Sequence, residues 1–352
     1  MDLSFYKDKR VLVTGHTGFK GTWLTKILVN AGADVLGYSR CSEKDPDFFA
    51  MSGVEPEITH VKGDVRDYEH LLEVFHSFRP DLVFHLAAQP IVRESYENPL
   101  YTYETNVMGT VNVMEAIRNT DSVKSVVIIT TDKVYRNDEQ GRPFREDDVL
   151  DGFDPYSNSK SCAELAVASY KRSFPDLPPI STARAGNVIG GGDFAKDRII
   201  PDCVRAIQKG ETIIVRNPNS VRPFQHVLEP LFAYLLIAEK QYNNLALAGS
   251  YNIGPEESDC ITTGELVDLF CKYWGDDAKW KTMSHENEPH EAGFLTLDSG
   301  LMKSTFDWKP QWGIDESVKL VVEFNRIWVR KKEVSQEMNK EIQCYMAKVS
   351  SK

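Results

Sequence analysis

Val11-Leu12-Val13-Thr14-Gly15-His16-Thr17-Gly18-Phe19-Lys20-Gly21 is the stretch that decides the fold. The apolar run from Arg10 to Thr14 reads as a strand, and Gly21 to Ala31 carries a helical pattern. Gly15, Gly18 and Gly21 fall in the turn between them. Glycine there permits a tight reversal and lets a pyrophosphate approach the helix N-terminus, where free N–H groups favour an anion. Glycines alone are weak evidence; their place between a strand and a helix points to a dinucleotide site.

Outward from this turn the pattern repeats. Asp34 to Tyr38 reads as a second strand, completing a βαβ unit. His60 to Gly63, Leu82 to Ala87 and Ser125 to Thr131 follow as strands, separated by helices over Tyr68 to Phe78 and Tyr103 to Arg118. Strands alternating with helices specify an α/β fold, a Rossmann-type doubly wound parallel sheet covered on both faces. Asp154 and Pro155 read as an N-cap and a first-turn proline, which starts a further helix. Ile180 to Ala185 is another strand, and at Gly190-Gly191-Gly192-Asp193 the alternation breaks. The expected division is a dinucleotide-binding domain over residues 1–185, with return segments within 222–255, and a smaller, sequence-interleaved lobe over 186–221 and 256–330. Residues 331–352 are charged without a core-forming period, which predicts a surface helix or a frayed tail.

The 352 residues are 41% hydrophobic and 26% charged, with no apolar run as long as a membrane span. The N-terminal segment lacks the apolar core and cleavage site of a signal peptide, so a cytoplasmic protein is expected. Cys41, Cys162, Cys203, Cys260, Cys271 and Cys344 form no CxxC pair and no metal-ligand spacing, and read as free thiols with no metal. A net charge of −11 argues against nucleic-acid binding. Cations that hold an anionic substrate must then be local.

Tyr156-Ser157-Asn158-Ser159-Lys160 supplies the chemistry. Four positions apart on a helix, the phenol and the ammonium share one face. A phenol titrating near ~10 needs about three units of help, or ~4 kcal/mol, to act as a base near neutrality. One cation ~5 Å away at an effective dielectric of ~20 contributes about 3 kcal/mol. Thr131, at the C-terminal edge of its strand, can share the hydrogen bond of a substrate hydroxyl. Asp132 beside it can protonate a leaving hydroxyl, which plain alcohol oxidation does not require, so elimination is expected alongside redox chemistry. Arg184, Arg198 and Arg222 are candidate clamps for a diphosphate. His226 reads as structural. Arg40 can accept a 2′-phosphate or stack on adenine, and Asp64 either bonds the adenine amine or initiates a helix.

These phrases, with His85-Leu86-Ala87-Ala88-Gln89-Pro90, Thr105-Asn106-Val107-Met108-Gly109-Thr110, Thr130-Thr131-Asp132-Lys133-Val134-Tyr135 and Arg184-Ala185-Gly186-Asn187-Val188-Ile189-Gly190-Gly191-Gly192-Asp193, resemble the extended short-chain dehydrogenase/reductase family, and within it the nucleotide-sugar 4,6-dehydratases. The likeness spans residues 8–330. It implies a tightly held NAD, contacted by Gly15, Thr17, Gly18, Phe19, Lys20, Gly21, Arg40, Asp64, Val65, Leu86, Ala87, Ala88, Gln89, Asn106, Tyr156 and Lys160. It implies substrate contacts from Gln89, Thr131, Asn187, Arg198 and Arg222, with the second lobe binding the nucleotide sugar. In the implied cycle Tyr156 takes the sugar 4-hydroxyl proton, assisted by Thr131, while Lys160 holds the nicotinamide ribose. Hydride leaves C4, a base removes the C5 proton, Asp132 protonates the departing 6-hydroxyl, and hydride returns to C6.

Sister dehydratases acting on dTDP-glucose carry a glutamate at the position of Lys133; the lysine matches the group acting on CDP-glucose. With a pKa near ~10.4, only about four lysines in ten thousand are neutral at pH 7, so Lys133 needs desolvation or neighbouring cations to be the C5 base. Otherwise it stabilises the enolate; the base is the reading adopted. The absence of an acid at Tyr38-Ser39-Arg40 leaves NADP open from the residues, and a redox-neutral cycle fits NAD. A dTDP- or GDP-sugar dehydratase, a 4-epimerase with no need of Asp132, and a non-catalytic NAD-binding regulator are the alternatives. Family members pair through helices equivalent to 101–118 and 154–173, which implies a homodimer and leaves a tetramer open.

Overall fold

Alternation along the strands builds the centre of the molecule. In β1 (Arg10–Thr14) the buried Val11 and Val13 join one apolar cluster and Leu12 joins the other, so the strand faces core on both sides. The same holds for β4 (Leu82–His85), with Leu82 and Phe84 on the first side and Val83 on the second, and for β5 (Ser125–Ile129). With β2 (Asp34–Ser39), β3 (Thr59–Lys62), β6 (Ile180–Ala185) and β7 (Ser250–Ile253) they form a seven-stranded sheet in the order β7-β6-β5-β4-β1-β2-β3. Every pairing in it is parallel. All strand C-termini therefore emerge at one edge, and the order reverses between β1 and β4, where a crevice opens. This computed structural model describes residues 2–40, 46–275, 278–283 and 292–350; Cys41 lies outside them, and the five cysteines within them are free thiols.

One face is covered by α1 (Phe19–Asn30), the other by α2 (Tyr68–Phe78), α3 (Gly109–Arg118) and α4 (Pro155–Ser173). The helix expected from Tyr103 is continuous with α3 through a π turn at Glu104–Met108. A third cluster is separate: α5 (Ile199–Gln208) contributes Ile200 and Val204. The chain then crosses the main body as α6 (Leu228–Asn243) and β7, and returns to that cluster through α7 (Thr263–Trp274) and α8 (Ile314–Val329). Among the described residues no helix is long and apolar enough to cross a membrane.

The tail departs from expectation. Val334–Ser350 forms α9, and Val334, Met338, Ile342 and Tyr345 are buried in the first core. The acids Glu337 and Glu341 fall on the same inner face, both buried, and broke the apolar period in the sequence. Tyr345 donates its hydroxyl to Glu229 at 2.7 Å, and Glu341 lies 3.3 Å from the buried His226. Met338→Ala is therefore expected to cost about 2–5 kcal/mol, seen as a lower urea midpoint, whereas a frayed tail would leave the midpoint unchanged.

Candidate active site

The turn after β1 is held by backbone contact. Gly15 sits at φ +74°, and a Cβ there would stand 2.7 Å from the Ala87 amide nitrogen. A Cβ on Gly21 would come within 2.1 Å of the Gly15 carbonyl oxygen, so α1 can rest on the turn only without a side chain. Gly18 caps α1 and makes no side-chain bond to its N-terminus, leaving amides directed at the crevice. These residues fit a dinucleotide pyrophosphate. Thr14 bonds His85 at 2.7 Å, tying β1 to β4 beneath the crevice.

The other expected cofactor residues follow the C-terminal ends of β2, β3 and β4. Arg40 is exposed, its guanidinium 5.3 Å from the Tyr101 ring centre. Asp64 pairs with Arg66 at 2.8 Å, and the cap of α2 is Asp67, so Asp64 does not initiate that helix. Val65 is buried beside Gly109. Gln89 and Asn106 are close but turned inward. The Asn106 side-chain amide holds both the N–H and the carbonyl of Gln89 and reaches Ser159 on α4, while Gln89 bonds Thr102 and Ile91. In this structure both brace the crevice wall. Thr17 bonds Ser39 at 3.0 Å, and Leu86, Ala87 and Ala88 line the chain leaving β4.

The Asp154 side chain caps α4, and Pro155 opens its first turn. Tyr156 and Lys160 consequently leave one face of the helix beside the end of β5. Thr131 acts to lower the Tyr156 phenol, but burial outweighs it and pushes the phenol up to about 12. Lys160 donates to the Ile129 carbonyl at 3.2 Å, and burial pulls its ammonium down to about 8. Lys20 reaches the same space from α1: its Nζ lies 3.4 Å from the Tyr234 hydroxyl, and burial, then repulsion from Lys160 and Arg198, lowers it to about 7.

Asp132 is 1% exposed. One of its oxygens accepts from the Thr131 hydroxyl at 2.9 Å, and the other has no hydrogen-bond partner. Burial raises its pKa, outweighing Lys133, the Thr131 bond and Arg222. A Cβ at Gly186 would fall 1.7 Å from that free oxygen, so glycine there makes room for the acid. Lys133 is half-buried, its backbone N–H directed at the Thr131 hydroxyl at 3.4 Å.

Two of the three arginines reach this space. Arg198 bonds Asp193 at 2.9 Å and interacts with Tyr156; Arg222 donates to the carbonyls of Val221 and Ala292 and acts on Asp132. Asn187 lies between, in the left-handed region at φ +43°. Arg184 does not serve as a clamp. It is 3% exposed and spent on Glu164, Tyr135 and the Glu146 carbonyl, because its strand position turns it behind the site. His226, fully buried, is structural as expected. Glu164 and Gly186 went unremarked in the sequence; the signal for Glu164 was its spacing of four from Lys160.

Sheet order, glycine turn and the Tyr156–Lys160 helix together define a short-chain dehydrogenase/reductase of the extended type. Residues 12–321 match the GDP-mannose 4,6 dehydratase family, and the chain belongs to it. It is 42% identical, over 99% of both chains, to a CDP-glucose 4,6-dehydratase of Salmonella typhimurium. Among solved structures, a UDP-glucose 4-epimerase of Thermus thermophilus in complex with NAD aligns with a TM-score of 0.79 and 25% identity, covering 90% of this chain and 99% of that one. A dTDP-glucose 4,6-dehydratase of Bacillus anthracis shares the fold with a TM-score of 0.77 at 22% identity, covering 92% and 97%.

The raised pKa of Asp132 has a consequence for stability. Its folded pKa lies above the ordinary 3.8, so the associated stability is full below that value and is lost as pH rises through the folded pKa. Asp132→Asn is expected to raise the thermal midpoint of the cofactor-free protein at pH 7, and the gain should vanish below pH ~4. An unchanged midpoint at pH 7 would mean that the carboxylate is not strained by burial.

Proposed function

We propose that the protein is a CDP-glucose 4,6-dehydratase, converting CDP-glucose to CDP-4-keto-6-deoxy-glucose and water. The observation that carries the reading is Asp132: a buried carboxyl with a free oxygen, beside the Thr131–Tyr156 pair. An epimerase has no use for such an acid. The cytidine preference is supported by the Salmonella typhimurium relative.

Bound NAD supplies the hydride acceptor and donor. Tyr156, helped by the Thr131 hydroxyl and the Lys160 charge, removes the 4-hydroxyl proton. Burial raises the Tyr156 phenol, and each unit of pKa is about 1.4 kcal/mol, so one nearby cation is a large fraction of what lowers it again. The resulting ketone acidifies C5–H. Lys133 takes that proton, and Asp132, whose pKa burial raises, gives a proton to the departing 6-hydroxyl. Asn187, Arg198 and Arg222 hold the diphosphate, and residues 186–221 with 256–330 form the nucleotide-sugar lobe. The site works in the cytoplasm, and its product feeds deoxysugar synthesis.

The molecule works as a homodimer. Leu100, Met108 and Leu165, 73%, 51% and 53% exposed, stand on the helical run before α3 and on α4, where a second copy would cover them. A monomer by light scattering at micromolar concentration would contradict this.

Incubation without added cofactor with CDP-, dTDP-, GDP- and UDP-glucose, followed by mass spectrometry, should show loss of one water from CDP-glucose alone. Loss only from another sugar, or no mass change even with added NAD, would overturn the assignment. Lys133→Ala should abolish exchange of the C5 hydrogen with solvent; normal exchange would remove Lys133 as the base.

A further inference from the structure

Three side chains at intervals of four residues line the face of α4 that meets the end of β5, and the last two are hydrogen-bonded to it. Tyr156 interacts with Thr131, Lys160 donates to the Ile129 carbonyl, and Glu164 accepts from the Thr130 hydroxyl at 2.5 Å. The first two belong to the site; the third touches no reacting position. Glu164 is 2% exposed, and it also accepts from Thr182 at 2.7 Å and from Nε and Nη2 of Arg184 at 2.9 Å each. One carboxylate thus collects four donors from two adjacent strands. Those strands lead directly into Thr131 and Asp132 on one side and Gly186 and Asn187 on the other.

A buried ion pair is poor value as a source of stability, because desolvation offsets the attraction and apolar residues would fill the same space. What the pair does supply is fixed geometry: a bidentate guanidinium and two hydroxyls allow the carboxylate one position. We propose that Glu164 is a positioning residue which, through Thr130 and Arg184, fixes α4 against β5 and β6 and so sets the spacing of Tyr156 and Lys160 from Thr131 and Asp132. Its charge also lies one helical turn beyond Lys160 on the same face, where it favours the ammonium. The proposal takes Tyr156 and Lys160 as the working groups and in that respect rests on the function assigned above.

The test uses Glu164→Gln and, because that change leaves Arg184 buried beside a neutral partner, a second variant combining Glu164→Leu with Arg184→Met, which removes both charges. In the holoenzyme either variant should lose about 10–100-fold in kcat on CDP-glucose, with KM within about twofold of wild type. The double variant should keep a wild-type thermal midpoint. In protein labelled with 13C at the lysine ε-carbon, the Lys160 resonance, assigned by its loss in Lys160→Met, should titrate about one pH unit lower in Glu164→Gln. A folded variant that turns over at the wild-type rate, with Lys160 titrating as in wild type, would make Glu164 a residue of stability alone and overturn the proposal. If the wild-type enzyme dehydrates none of the four sugars, the assigned function fails, while the Lys160 titration still decides the role of Glu164.

Discussion

The close approach of two backbones at the sheet's reversal point governs the rest of the molecule. Gly15 passes so near Ala87 that no side chain fits between them, and α1 rests on the carbonyl of Gly15 through Gly21. That contact fixes β1 against β4 and leaves the amides of the first turn of α1 at the mouth of the crevice. β5 pairs with β4, so Thr131 and Asp132 are delivered to the same edge, and α4 packs back beside them with Tyr156 and Lys160. Each step depends on the preceding one. A slip of one residue at the turn would carry the acid, the phenol and the ammonium out of register together.

The charges in the crevice run against those of the whole chain. The molecule carries a net −11, yet Lys20, Lys160, Arg198 and Arg222 converge on one buried carboxyl and one phenol. Burial pulls the two lysines down to about 7 and about 8, and for Lys20 the neighbouring Lys160 and Arg198 act in the same direction. A diphosphate brought into that space would favour the ammonium form of both. The charges of the pocket are therefore complementary to an anionic ligand.

Much of this was legible in the sequence where a residue's role depends on its immediate neighbours. The β1–α1 turn, the Asp154 cap and the Tyr156–Lys160 spacing are local features, and local geometry follows from local sequence. What escaped was decided by partners far along the chain. Arg184 reads as a clamp until Glu164, twenty residues earlier, is seen to take its fork. The bonds by which the Asn106 side chain holds the Gln89 backbone likewise join residues that the sequence separates by a strand end and a helix. The period of α9 was hidden by two acids on its inner face: Glu337 pairs with Lys340 within the helix, whereas Glu341 meets His226 only after folding.

Three departures from ordinary packing meet at the site. A carboxyl oxygen without a partner, an asparagine in the left-handed region and a glycine excluding any side chain occupy Asp132, Asn187 and Gly186, within one small volume. Each would be removed by an ordinary substitution if stability alone were served. They adjoin the buried Glu164–Arg184 pair, whose four hydrogen bonds make the strands beneath unusually well fixed. Rigid support directly under these residues holds the Asp132 carboxyl, one oxygen bonded to Thr131 and the other free, at a set distance from the Tyr156 phenol, which is the geometry the proposed elimination requires.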